Sequence, residues 1–201
     1  MVPGKIGNIT GANWGNFKPG HFPERNETME RGIVIVNTGH GKGKTTAAFG
    51  QALRAAGHGQ SVCIIQFIKG PWVTGEAKAI NRLADRIELH ICGTGFTWEA
   101  ENRDELIASA LAGWRLAREK IASGLYQLVV LDELTYLINY GIIGEDEVRK
   151  TLVSRPDGVD IVITGREAGE GLLAEADLVT TMCEIKHPYH QGVTARKGRE
   201  F

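Results

Sequence analysis

Val34 to Thr46 reads V-I-V-N-T-G-H-G-K-G-K-T-T: a short apolar run, a loop with glycine at every second position, then Lys44-Thr45-Thr46. The four apolar residues Ile33 to Val36 predict a buried strand, and the alanine-rich stretch after Thr46 predicts the start of a helix. In that context the loop reads as a phosphate cradle. Gly39, Gly41 and Gly43 have no Cβ, so backbone N–H groups can turn inward and approach an anion closely. The helix that follows adds the positive end of its dipole. Lys44 would bridge the outer phosphates as a point charge, and the Thr45 hydroxyl would ligate a magnesium ion. The usual pattern G-x-x-x-x-G-K-[ST] is met at Gly43-Lys44-Thr45, but its first position is Thr38, with the glycine displaced to Gly39. A tight connection alone would not need a Gly-Lys-Thr terminus. The nucleotide contacts expected here are Thr38, Gly39, His40, Gly41, Lys42, Gly43, Lys44, Thr45 and Thr46, with Arg54 in the following helix.

The chain has 201 residues, enough for one domain with a full α/β core. Its 23 Lys and Arg balance 24 Asp and Glu, so no global field points to nucleic acid or membrane, and a ligand must be recognised locally. Cys63, Cys92 and Cys183 are odd in number, far apart and each in a run that reads as strand; they are expected to be buried, reduced thiols of a cytoplasmic protein. No cleavable signal is visible, and the apolar runs are shorter than a membrane span.

Residues 1–30 are rich in glycine and proline, and Trp14, Phe17 and Phe22 follow no period; they read as an extended or disordered arm ahead of a domain spanning 31–201. Past the first helix, Ser61 to Phe67 is a second strand, and Lys69 in the loop after it is either a phosphate contact or an exposed lysine. Glu76 to Ala84 predicts a helix and Arg86 to Cys92 a third strand. In the next loop Phe96 and Trp98 either plug the edge of the core or form a platform for a flat ligand. Asn102 with Glu105 resembles a capping box opening a long helix that Gly124 closes, with Trp114 in its apolar stripe. Short helices are expected over Leu134–Tyr140 and Glu145–Val153.

Leu125 to Leu131 predicts a fourth strand running into Asp132-Glu133. An acidic pair at a strand tip, well after a phosphate loop, is what a magnesium site needs, so Asp132 and Glu133 join Thr45 as candidate metal residues. Asp160 to Thr164 is a fifth strand; Arg166 just beyond it reads as a phosphate contact or as a surface arginine. Asp177 to Ile185 predicts a sixth strand. His187 and His190 are spaced i, i+3, but Pro188 between them argues against a helix and so against a metal pair. Strands alternating with helices imply an α/β fold, a mostly parallel six-stranded sheet covered on both faces, with the phosphate-loop NTPase (RecA-like) architecture.

Together these residues resemble the phosphate-loop ATP:corrinoid adenosyltransferases. The resemblance is carried by T-G-H-G-K-G-K-T-T-A-A-F-G after Arg31-Gly32, Gln66-Phe67-Ile68-Lys69-Gly70, Gly95-Phe96-Thr97-Trp98-Glu99, Val130 to Tyr136 (V-L-D-E-L-T-Y), Thr164-Gly165-Arg166 and Lys186-His187-Pro188, in the family's order. It implies that cob(I)alamin or a precursor corrinoid attacks the 5′ carbon of ATP and displaces triphosphate, which is held in reversed order relative to ordinary ATPases. Lys42, Lys44 and magnesium would then meet the charge of the leaving group, Glu133 would belong to the metal shell, and Co(I) would itself be the nucleophile. Phe96 and Trp98 would lie on the corrinoid side, keeping the lower axial base off cobalt and water out. With no flavin or iron-sulfur motif visible, an external reductant such as a flavodoxin or reduced flavin is implied, and the family is typically homodimeric.

Two departures stand out. The family usually has Asn where this chain has His40, from which we expect ATP affinity to vary with pH between roughly 6 and 7; a flat profile would count against it. Residues 1–30 do not resemble the charged helix with which relatives cover the corrinoid, and deletion of the arm tests whether Trp14, Phe17 and Phe22 take its place. The alternatives are a phosphate-loop ATPase or kinase cleaving at the γ-phosphate, and a non-catalytic, nucleotide-dependent corrinoid-binding protein.

Overall fold

The structure, a computed structural model, describes residues 31–68, 74–93 and 103–199. Among them six strands form one sheet: β1 (Val34–Thr38), β2 (Val62–Gln66), β3 (Ile87–Ile91), β4 (Leu128–Asp132), β5 (Asp160–Thr164) and β6 (Leu178–Thr181). The order is β3-β2-β4-β5-β1-β6 and every pairing is parallel, as the alternation of strand and helix requires. The helices are α1 (Lys44–Gly57), α2 (Gly75–Ile80), α3 (Arg103–Ala122), α4 (Leu134–Asn139), α5 (Glu145–Val153) and α6 (Glu170–Glu175).

Both faces of the sheet are packed, so the central strands are apolar on both sides. Val62, Ile64, Leu128 and Val130 meet Ala48, Phe49 and Ala52 of α1. Cys63, Ile65, Val129 and Leu131 belong to the opposite core, with Trp114 and Ala117 of α3 and Leu152 of α5. Trp114 is buried, as its place in the apolar stripe predicts, and its indole N–H donates to Glu147 (2.8 Å). β1 is reached from β2 only across β4 and β5, so the chain doubles back at β1. In such a sheet ligands sit at the carboxyl ends of the strands, beside that switch.

The amino end of β1 is pinned by charge. Asp160 accepts from the Ile33 N–H (2.7 Å) and Asp177 from the Val34 N–H (2.8 Å). The Arg155 guanidinium, almost fully buried, donates to the carbonyls of Val159 (3.2 Å), Leu152 (2.5 Å) and Gly32.

Several expectations are corrected. β1 and β4 lie one to three residues further along than read, because Asn37, Thr38 and Asp132 are polar yet buried. The sixth strand stops at Thr181 and is exposed throughout, so Cys183 is an exposed thiol rather than a buried one; Cys92 is half-buried and Cys63 buried. The helix expected to Ala84 ends at Ile80 and passes into a 3-10 turn over Asn81–Leu83. Pro188 does not prevent a helix: it opens a 3-10 helix over Pro188–Gln191, where its missing N–H has no partner to lose, and His187 Nδ1 caps it by accepting from the Tyr189 N–H (3.0 Å). Helix α6 has no counterpart in the sequence reading. Asn102 of the expected capping box lies outside the described residues.

Candidate active site

The loop from Gly39 to Gly43 joins the carboxyl end of β1 to the first residue of α1. Gly39 and Gly43 have φ of +94° and +104°, a region that a side chain disfavours. Close approach of protein also demands glycine here. A Cβ on Gly39 would stand 2.5 Å from the Met182 carbonyl oxygen, and one on Gly41 2.8 Å from that of Cys183. The Gly41 N–H donates to the Met182 carbonyl (2.7 Å), so the loop lies against the chain leaving β6 and this amide is engaged within the protein. The reading that the glycines serve to turn N–H groups toward an anion is narrowed accordingly.

Lys44 bends back over the loop, its ammonium donating to the carbonyls of Gly39 (2.8 Å) and Gly41 (2.6 Å). Burial holds its pKa below the ordinary lysine value; Arg166 nearby adds to this and Glu133 opposes it. All three face one cleft of ≈ 270 Å³, lined by His40, Gly41, Lys42, Gly43, Lys44, Thr45, Thr46, Glu76, Glu133, Tyr136, Thr164, Gly165, Arg166 and Arg199.

The acidic tip is built across three strands. Asp132, fully buried, accepts from Gln66 Nε2 at one oxygen (2.8 Å) and from the Thr164 hydroxyl at the other (2.7 Å). Thr164 in turn accepts from the Glu133 N–H (2.9 Å). Glu133 has φ of +65°, uncommon for a residue with a side chain, and this turn sends the chain into α4 while leaving Glu133 on the cleft wall. On the far side of β5, Gly165 has φ of +145°, and a Cβ there would collide with the Thr135 hydroxyl. That hydroxyl donates to the Arg166 carbonyl (2.7 Å), as does Asn139 (3.2 Å), so Arg166 is held by its backbone at the cleft.

The sequence-predicted residues therefore separate. His40 to Thr46, Glu133 and Arg166 come together around the cleft. Gly39 and Thr38 lie behind it, Thr38 accepting from the Ala168 N–H (3.2 Å), and Asp132 lies beneath it. Arg54 does not reach it: it is exposed in the last turn of α1, about 15 Å along the helix axis from Lys44. Lys69, Phe96 and Trp98 lie outside the described residues. The cleft also includes Glu76, Tyr136, Thr164 and Arg199, to which the sequence reading gives no role. Only Thr164 carried a local signal, a hydroxyl at a strand tip.

Two roomier hollows, of ≈ 400 and ≈ 610 Å³, lie between α3 and α5 and contain no phosphate-loop residue. The cleft is preferred on its chemistry, not its size. Elsewhere Cys63, Glu88 and His90 bring potential ligand atoms within 4.8 Å of one another. The Lys120 ammonium, 2.8 Å from Glu88, already supplies the positive charge there, which disfavours a metal. No helix among the described residues is long and apolar enough to cross a membrane.

Comparison with known proteins gives consistent relatives. The chain is 44% identical over 172 residues to the corrinoid adenosyltransferase CobA of Salmonella typhimurium, covering 86% of this chain and 87% of that protein. It is 42% identical to the corrinoid adenosyltransferase of Pseudomonas aeruginosa, over 86% of this chain and 85% of the relative. Among solved structures, the flagellar accessory protein FlaH of Methanocaldococcus jannaschii superposes with a TM-score of 0.49 and 14% identity, over 76% of this chain and 72% of that one. Residues 30–201 match the sequence pattern of the ATP:corrinoid adenosyltransferases BtuR/CobO/CobP, and the chain belongs to that family.

Proposed function

We propose that this corrinoid adenosyltransferase performs its reaction at the phosphate-loop cleft. The cobalt(I) of a reduced corrinoid attacks the 5′ carbon of ATP held there, a cobalt–carbon bond forms, the C5′–O bond breaks, and inorganic triphosphate leaves with the electron pair. The observation that carries this assignment is the distribution of charge in the cleft. Lys42, Lys44, Arg166 and Arg199 come from the loop, α1, the β5 tip and the carboxyl-terminal segment, so cations meet a polyphosphate from several sides. A leaving group that carries charge along its whole length needs this spread.

Magnesium fits the same site. Each Asp132 oxygen accepts one hydrogen bond from protein and keeps a lone pair, and the carboxylate is fully buried and does not line the cleft, which supports a role toward a hydrated ion through water. Thr45 and Glu133 line the cleft and supply the closer oxygens. When bound, the ion neutralises charge on the departing phosphates. Phe96 and Trp98 are assigned to the corrinoid side. The electron that makes Co(I) comes from an external reductant such as a flavodoxin or reduced flavin, and the working unit is a cytoplasmic homodimer whose catalytic domain spans 31–201.

The test mixes protein, ATP, Mg2+ and chemically reduced cobalamin under anaerobic conditions. A light-sensitive cobalt–carbon product together with triphosphate is expected. ADP in place of triphosphate would favour a γ-phosphate-cleaving enzyme, and binding of both substrates with no turnover a non-catalytic corrinoid-binding protein. Omitting Mg2+ tests the ion, and sedimentation of the full chain tests the dimer.

A further inference from the structure

Gln66 ends β2 directly beside Asp132 of β4, with which it is in register. Preceding residues on that face, Val62 and Ile64, are part of the apolar core under α1, so a carboxamide at the next position must answer a specific need. Gln66 is 2% exposed. Its backbone carbonyl accepts from the Cys92 N–H (2.9 Å), and its Nε2 donates to Asp132 Oδ2 (2.8 Å). Its Oε1 is buried and has no hydrogen-bond partner among the described residues. Turning the amide over would not repair this, because Oε1 would then face the Asp132 carboxylate, acceptor against acceptor. The orientation is fixed by Asp132 and one buried acceptor is left over, at the base of the acidic tip.

We propose that Gln66 is a positioning residue of the magnesium site: Nε2 sets the Asp132 carboxylate, and Oε1 accepts a hydrogen bond from a water belonging to the ion's hydration shell. Outer groups of this kind orient the inner ones and tune the affinity for the metal. Magnesium retains several of its waters when bound, and such waters need acceptors of fixed position. The chain Glu133 N–H to Thr164 to Asp132, closed by Gln66, is then one scaffold whose purpose is to fix where that shell sits. The inference rests on the assignment of Asp132, Glu133 and Thr45 to magnesium.

The test is calorimetric binding of ATP at a series of Mg2+ concentrations, without corrinoid so that no turnover occurs, in the full chain and in Gln66→Met, Asp132→Asn and the double variant. Gln66→Met is expected to raise the Mg2+ concentration that supports half-maximal ATP binding about tenfold. Affinity at saturating Mg2+ should stay within about twofold, and the effect should vanish in the Asp132→Asn background. Gln66→Asn, which keeps the carboxamide but withdraws it by one methylene, should shift the midpoint in the same direction and guards against a poorly folded methionine variant. An unchanged midpoint in folded Gln66 variants, or the same shift with and without the Asp132 carboxylate, overturns the inference alone. ATP binding by the unaltered chain that ignores Mg2+ overturns the metal assignment and the inference with it.

Discussion

The Lys44 ammonium donates to the carbonyls of Gly39 and Gly41. A polyphosphate entering the cleft offers a stronger, charged acceptor, and burial together with Arg166 keeps the ammonium poorly compensated until it arrives. Lys44→Met should therefore weaken transition-state stabilisation far more than folding. We expect kcat for adenosyl transfer to fall by about 100-fold or more, as for removal of other donors to developing negative charge, with the melting temperature nearly unchanged. Steady-state kinetics beside a thermal melt checks both halves.

At the scale of single elements, β3 carries a polar cluster on the outer strand of the sheet. Glu88 accepts from Lys120 (2.8 and 3.0 Å), from the Tyr126 hydroxyl and from His90 (2.7 Å, when that ring nitrogen carries the proton), tying β3 to α3 and to the turn before β4. The hydrogen bonds of Lys120 and Tyr126 hold the Glu88 pKa down at about 2, while burial pushes the neighbouring Cys63 thiol up to about 12. A depressed carboxylate contributes stability that is present above its unfolded pKa, near 4.3, and is lost as pH falls toward the folded value. Glu88 is 40% exposed, so solvent screening limits the gain. Glu88→Gln should lower stability by less than about 1 kcal/mol at neutral pH. That difference from the unaltered chain should shrink between about pH 4.3 and 2, which denaturant melts across that range measure. The cluster also marks where the sequence is readable. Val62 to Gln66, Leu128 to Asp132 and Asp160 to Thr164 are legible as strands because apolar side chains fill both faces. The boundaries slip where Asn37, Thr38 and Asp132 are buried for the site's sake, since polarity reads as loop. Helix α6, only six residues long, lacks any pattern strong enough to see, whereas β6 is legible as a strand and only its end slips, from Ile185 back to Thr181. The phosphate loop and the acidic tip were legible because each is contiguous. Glu76, Tyr136 and Arg199 come from separate segments, and only the fold brings them together.

At the scale of the molecule, the segment after β6 is the least core-like part among the described residues and yet walls the cleft. No residue described from 183 to 199 is buried, but Arg199 lines the phosphate-loop cleft, and Lys42 and Arg199 also border a second hollow of ≈ 340 Å³ formed with His187, Tyr189 and Arg196. A chain truncated after Lys186 should melt close to the full protein, while KM for ATP rises about tenfold, the effect of losing one charge-assisted hydrogen bond to phosphate. Equal KM values would remove Arg199 from the binding wall. The contact between Gly41 and Met182 has a further consequence, in time rather than in space. An amide in a bare phosphate loop would trade its hydrogen with solvent quickly. At Gly41 that exchange can proceed only when the loop lifts from the chain beyond β6, so deuterium should enter slowly in the ligand-free protein and ATP should slow it little further. Such protection would assign the ordering of this part of the loop to folding rather than to binding.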